Sequence, residues 1–210
     1  MFKCLRYCAI LLAAISLPVF AQEAPDAMIK RVSNEVLDII KNDKAIQAGD
    51  TKRAQELIEA KVLPNFDFAR MTALAMGRES RNATPDQKTE LTKEFQTLLV
   101  RSYSNALTQY KNQTIDFKPL HMQATDTEVT VHTEVKQPGA KPIGIDYDMA
   151  KTADVWKVYD VAIAGVSLVT NYRDTFAQEI KAGGIDGLIK SLHDKNQQLV
   201  GGKPAEPAKK

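Results

Sequence analysis

The residues that could do chemistry gather near one stretch of the chain. Gly165-Val166-Ser167-Leu168-Val169 follows an apolar run and opens helical spacing, as does the sharp turn that presents a nucleophilic serine. The second glycine of that motif is absent, because Val169 stands there. Ser167 serves equally as the N-cap of the helix that follows. A serine triad also needs a histidine. His121 falls between strands, His132 on the polar side of an alternating run, and His193 among polar residues of the last helix. Spacing gives none of them a partner. No HExxH, no Cys/His ligand spacing and no phosphate-binding glycine loop occurs, so no metal or cofactor is expected. Asp160 remains, a carboxylate inside the apolar run Val155 to Ile163. In an apolar pocket it would act as a general base. Satisfied by Arg173, Tyr147 or backbone amides it would be structural, the more frequent state of a buried carboxylate.

The compartment narrows the chemistry further. Lys3 and Arg6 precede an apolar run from Tyr7 to Leu17, then Pro18 and the small-residue pattern Val19-Phe20-Ala21. This is the pattern of a secretory signal peptide over residues 1–21, cleaved before Gln22. Cleavage takes 28 basic residues to 26, which balance the 26 acidic ones. It also removes Cys4 and Cys8, the only cysteines, leaving neither a disulfide framework nor a thiolate site. Leu5-Arg6-Tyr7 before Cys8 lacks the small residues of a lipid-anchor site. Asn82 and Asn112 begin Asn-x-Thr sequons that matter only on a eukaryotic secretory route. With no basic stripe, nucleic acid is not an expected partner.

Helices come first along the mature chain. Pro25 starts one that runs to about Asp43, with Met28, Val32, Val36 and Ile39 in a stripe that Ile29, Leu37 and Ile40 widen. Asp50 caps a second helix, stopped near Pro64, and a third runs from about Phe66 to Met76 and ends at Gly77. The third is apolar over more than one face, which fits a helix buried between layers or one that lines a cavity. Thr84-Pro85-Asp86-Gln87 combines an N-cap, a proline at N1 and a capping-box glutamine. The helix it opens runs to about Tyr110, roughly 26 residues or ~39 Å. The period then changes to two over Thr114–Leu120, Thr127–Lys136 and Pro142–Lys151. Short loops predict an antiparallel meander of about four strands ending in Val155 to Ile163. That last strand is apolar at both parities and is expected to be buried on both faces. A turn at Thr152-Ala153 sets Met149 opposite Trp156, Tyr147 opposite Val158 and Ile145 opposite Asp160. A helix follows Ser167 to Gly183-Gly184, and Ile185, Leu188, Ile189 and Leu192 mark another. The expected domain covers residues 22–201, and 202–210 form a disordered tail.

This inventory leaves an excess of apolar surface, either a filled core or a dry cavity for a large apolar ligand. One family shares the ordered set Leu63-Pro64, Leu74-Ala-Met-Gly77, Ala83-Thr-Pro-Asp-Gln87, Trp156-Lys-Val-Tyr-Asp160, Gly165-Val-Ser-Leu168 and Gly184-Ile-Asp-Gly-Leu188. In order and spacing it resembles the MlaC, or toluene-tolerance, family of periplasmic phospholipid-binding proteins. Glu79-Ser80 stands where that family would have an aromatic after Gly-Arg. The resemblance implies an α+β fold, NTF2-like in shape, with a curved antiparallel sheet wrapped by six or seven helices and acyl chains held between them. It implies a monomeric carrier in a Gram-negative periplasm, without catalysis. Its partners would be an inner-membrane ABC transporter with an MCE-domain subunit and an outer-membrane lipoprotein-porin complex. The process served would be outer-membrane lipid asymmetry. By motif position the expected lipid contacts are Val158, Val161, Ile163, Val166, Leu168, Val169 and Tyr172. Ile145, Tyr147 and Met149 face them from the sheet, and Met71, Leu74, Leu98, Leu99 and Tyr103 from the helices. Arg70, Arg78 and Arg81 are candidate contacts for a head group or a partner protein, against the more frequent role of any single one as a solvated surface charge.

Overall fold

The computed structural model describes residues 23–200 apart from residue 154. The expected signal peptide and disordered tail lie outside the described residues. Within them the chain runs α1 (Pro25–Asn42), α2 (Lys44–Gln47), α3 (Thr51–Leu57), α4 (Phe68–Met76) and α5 (Pro85–Thr108). Strands β1 (Thr114–Phe117), β2 (Glu128–Lys136), β3 (Ile143–Thr152), β4 (Val155–Ile163) and β5 (Val166–Ser167) follow, then α6 (Leu168–Leu199). The fold is mixed α+β, a curved antiparallel sheet in the order β1-β2-β3-β4-β5 wrapped by helices. The two-residue β5 is the strand beyond the expected four.

The capping chemistry works as its residue types dictate. Thr84 accepts from Gln87 N and the Gln87 side chain returns a bond to the Thr84 amide, closing the capping box of α5. Asp50, Asp67 and Ser167 cap α3, α4 and α6 with side-chain oxygens. The second helix stops near Pro64 as expected, but its last turns are not α-helical. After Leu57 the chain forms a π turn over Ile58–Val62 and a 3-10 turn over Leu63–Asn65, where Pro64 ends helical bonding. Phe66 is not helical. It makes a parallel bridge to Val158, and the Asp67 amide donates to the Val158 carbonyl at 2.8 Å. Gly184, at φ 70° and ψ −170°, breaks α6 into two helical pieces as its sequence predicts.

The β3–β4 register corrects the expected one. Thr152 faces Val155, which sets Met149 opposite Val158 and Lys151 opposite Trp156. One step on, a bulge leaves Tyr159 unpaired, so that Asp148 meets Asp160, Tyr147 meets Val161 and Ile145 meets Ile163. Trp156, Val158, Val161 and Ile163 thereby share the sheet face that carries Ile145, Tyr147 and Met149. The apolar residues at both parities of β4 reflect a change of parity at the bulge, and on the opposite face Asp160 is buried where α6 begins. The opposite face is polar: His132 Nδ1 lies 2.7 Å from Asp146, Thr130 donates to Asp148 at 2.6 Å, and Lys118 bridges Asp116 and Glu134.

Three apolar bodies result, the third being Val36, Ile40, Ile46 and Leu57 where α1, α2 and α3 meet. Phe95 packs edge-on against Tyr172 and Phe176, with ring centroids at 5.0 and 5.1 Å. Around them Met71, Met76, Leu91, Leu98, Leu99, Leu188 and Leu192 fill the space between α4, α5 and α6. The second body lies between α1 and the inner sheet face, where Met28 and Ile29 meet Val131, Met149, Trp156, Val158 and Val161. It is not filled.

Candidate functional site

A partly open cavity of about 340 Å³ separates α1 from the sheet. The wide stripe of α1 supplies Met28, Ile29, Val32, Ser33, Val36, Leu37 and Ile40. The π and 3-10 turns add Val62 and Asn65, the bridge residue Phe66 adds its ring, and the end of α5 gives Ala106, Leu107 and Tyr110. Gln113 and Ile115 from the start of the sheet, Val135 from β2, Ile145 and Tyr147 from β3 and Val158 from β4 make the opposite wall. No charged side chain is among them. Such a space holds a hydrocarbon well and an ion badly, since an unpaired charge would lose its hydration without compensation.

Of the residues expected at the site, Ile145, Tyr147 and Val158 line this cavity. Met149 and Val161 are buried in the same sheet face beside them. Ile163 and Leu168 pack at its margin, and Val166, paired with Ile163, is exposed. Met71, Leu98, Leu99 and Val169 are buried in the helical core instead, with Leu74 and Tyr172 packed against them. Tyr103 is exposed on α5 near Tyr172. Burial, with the Tyr103 phenol adding to it, pushes the Tyr172 phenol up to about 12. Motif position pointed to α4, α5 and α6, but the cavity's helical wall is α1 and the residues at the end of α5. The α1 stripe is broad, seven apolar positions on one helix, and six of them line the cavity.

Asp160 is fully committed. One carboxylate oxygen accepts from the Val161 amide at 2.8 Å and the Val169 amide at 3.1 Å, and the other from the Ser167 hydroxyl. The carboxylate thus ties β4 to the first turn of α6, where a negative charge is favoured. It is not a cavity residue, and Ser167, capping α6 through the Thr170 amide at 3.0 Å, is held in the same network. His193 faces Glu94 at 3.2 Å, far from either. Burial works against the Glu94 charge, but bonds from Asn196 and His193 outweigh it and hold the carboxyl below its ordinary range. Among the described residues no group of three His, Cys, Asp or Glu side chains could hold a metal ion. Arg70 is engaged too: its guanidinium donates to Glu128 at 2.7 Å and stacks 3.6 Å over the Tyr159 ring.

Comparison with known proteins follows the same line. The model of the MlaC protein family matches residues 30–194. The toluene tolerance protein Ttg2D of Pseudomonas putida is 26% identical over 179 residues, 84% of this chain and 82% of that one. The intermembrane phospholipid transport system binding protein MlaC of Haemophilus influenzae is 21% identical over 183 residues, 86% of each chain. A solved structure of a phospholipid-binding protein from Ralstonia solanacearum, in complex with a phospholipid, superposes with a TM-score of 0.78. It is 38% identical, and the match covers 83% of this chain and 98% of that one.

Proposed function

This chain belongs to the MlaC family, and on that premise we propose that it is a periplasmic phospholipid carrier that acts without catalysis. The observation that carries the proposal is the uncharged cavity between α1 and the sheet, in a chain 38% identical to a protein solved with a phospholipid. The acyl chains enter that cavity against Ile145, Tyr147, Val158 and the α1 stripe. Ile163, Val166 and Leu168 continue the apolar surface toward solvent from Ile145, to which Ile163 is paired. The head group stays outside, because nothing charged inside would receive it. In this role the protein hands lipid between an inner-membrane ABC transporter with an MCE-domain subunit and an outer-membrane lipoprotein-porin complex, which preserves outer-membrane lipid asymmetry.

Physical chemistry requires such a carrier. Burying acyl chains is worth ~0.8 kcal/mol per methylene, so a lipid with about 30 methylenes faces a cost on the order of 20 kcal/mol to cross water bare. A soluble cavity replaces bilayer contacts with protein ones, and matching them without exceeding them greatly permits release. The test is native mass spectrometry of the purified mature protein, followed by lipid extraction. A co-purifying phospholipid in roughly stoichiometric amount is expected. Protein that stays empty after incubation with liposomes would overturn the carrier assignment.

A further inference from the structure

Polar groups interrupt the apolar wall of the cavity: Asn65, Tyr110 and Gln113, whose donors are engaged within the protein, and Tyr147 with Ser33. Tyr147 of β3 lies between Val131 and Val161 in the ladder, with Ser33 of α1 also on the cavity wall. Thr133, one pair along on β2, is buried behind them and gives its hydroxyl proton to the Ile145 carbonyl at 3.0 Å. Only its lone pairs remain to offer. The hydroxyls of Thr133 and Ser33 stand beside the phenol, and burial raises the Tyr147 phenol above its ordinary range, so it stays a neutral donor. Among the described residues, neither Tyr147 nor Ser33 donates to a backbone carbonyl or a charged group. Their two protons can turn from the cluster to an acceptor in the cavity.

That placement narrows the ligand's chemistry. An ionised phosphate or carboxylate brought to this point would find no cation, and a saturated chain offers no acceptor. The polar atom of an acylated lipid that suits two neutral hydroxyl donors is its ester carbonyl. We infer that Tyr147 and Ser33 hold an ester carbonyl of the bound lipid, so that the cavity selects ester-linked chains over ether-linked chains of the same length. The inference rests on the carrier reading and adds to it a chemical criterion that hydrophobic burial alone does not supply.

A matched pair of lipids tests it: a diester phosphatidylcholine and its diether analogue, which keeps chains and head group but lacks both carbonyls. Delipidated full-length mature protein is loaded from mixed vesicles of the two, and the bound ratio is read by native mass spectrometry. Wild type should favour the diester about five- to tenfold, the discrimination expected of one or two neutral hydrogen bonds. Tyr147→Phe should bring the ratio close to one by lowering diester uptake more than diether uptake. Ser33→Ala, at a half-buried position, should lower the ratio in part and stands in if Tyr147→Phe takes up neither lipid. Equal uptake of the two lipids by wild type, or an unchanged preference in both variants, would overturn the inference and leave the carrier assignment standing. Uptake of neither lipid by wild type would overturn the carrier assignment, and this inference with it.

Discussion

Asp160 shows how one side chain can look catalytic in sequence and be architectural in space. It stands in an apolar run, yet its partners come from Ser167 and Val169, just past the turn at Gly165. It holds a strand end and a helix start at a fixed angle. Asp160→Asn keeps an oxygen for the two amides but places an NH2 group opposite the Ser167 hydroxyl. That hydroxyl already accepts from Thr170, so its own proton is left without an acceptor. Loss of charge at the start of α6 adds to the cost, and relief from Asp148, the facing residue in the ladder, subtracts from it. The expected net destabilisation is about 1–2 kcal/mol by urea denaturation, with lipid occupancy unchanged. Native stability in the variant would show that the network does not hold the turn. Lost lipid occupancy at native stability would give Asp160 a direct functional role.

Among the elements, α6 carries a sharper test, because two adjacent glycines play opposite parts. Gly184 adopts φ 70° and ψ −170°, a region open essentially to glycine, while Gly183 has no such requirement. A Cβ at either position meets nothing within 4 Å, so steric contact does not confuse the comparison. Gly184→Ala should therefore cost about 1–3 kcal/mol through the backbone alone. Gly183→Ala should be neutral or stabilise by about 0.4–1 kcal/mol by restricting the unfolded chain. Urea midpoints of the two variants check the sign of each, and equal shifts would mean that the kink is not required. Local chemistry of this kind was legible in advance. Thr84-Pro85, Ser167 and Gly184 each specify a boundary by side-chain or backbone preference, and the starts of α5 and α6 and the break within α6 fall there. The β4 register was not legible, because a bulge is a choice between pairings that no single residue announces. Tyr159 is as good a strand residue as its neighbours, and only the paired strand shows that it is skipped.

For the whole molecule, the decisive distinction is between apolar surface that is met and apolar surface that is not. Leu98 and Val32 look alike in sequence, each on a helical stripe. Leu98 is buried in the filled body between α4, α5 and α6, whereas Val32 faces the cavity. Periodicity reports which face of a helix is apolar but not what stands opposite, which is why the family's fold was foreseeable and the cavity's helical wall was not. A pair of substitutions separates the two bodies. Leu98→Ala should cost about 2–5 kcal/mol in the delipidated protein, as a core truncation does. It should leave lipid binding in place. A ligand at one hundred times its Kd adds about 2.7 kcal/mol, roughly 5–10 °C in Tm for a domain of this size, and Leu98→Ala should keep that shift. Val32→Phe pushes a ring into empty space, so the delipidated protein should melt at or above the wild-type temperature. Its lipid-dependent shift should vanish, because the volume the chains need is taken. Loss of the shift in Leu98→Ala with retention in Val32→Phe would move the lipid site into the helical body, toward Met71, Leu99 and Tyr172. The pattern expected from the cavity is the reverse: stability governed by one body and ligand response by the other.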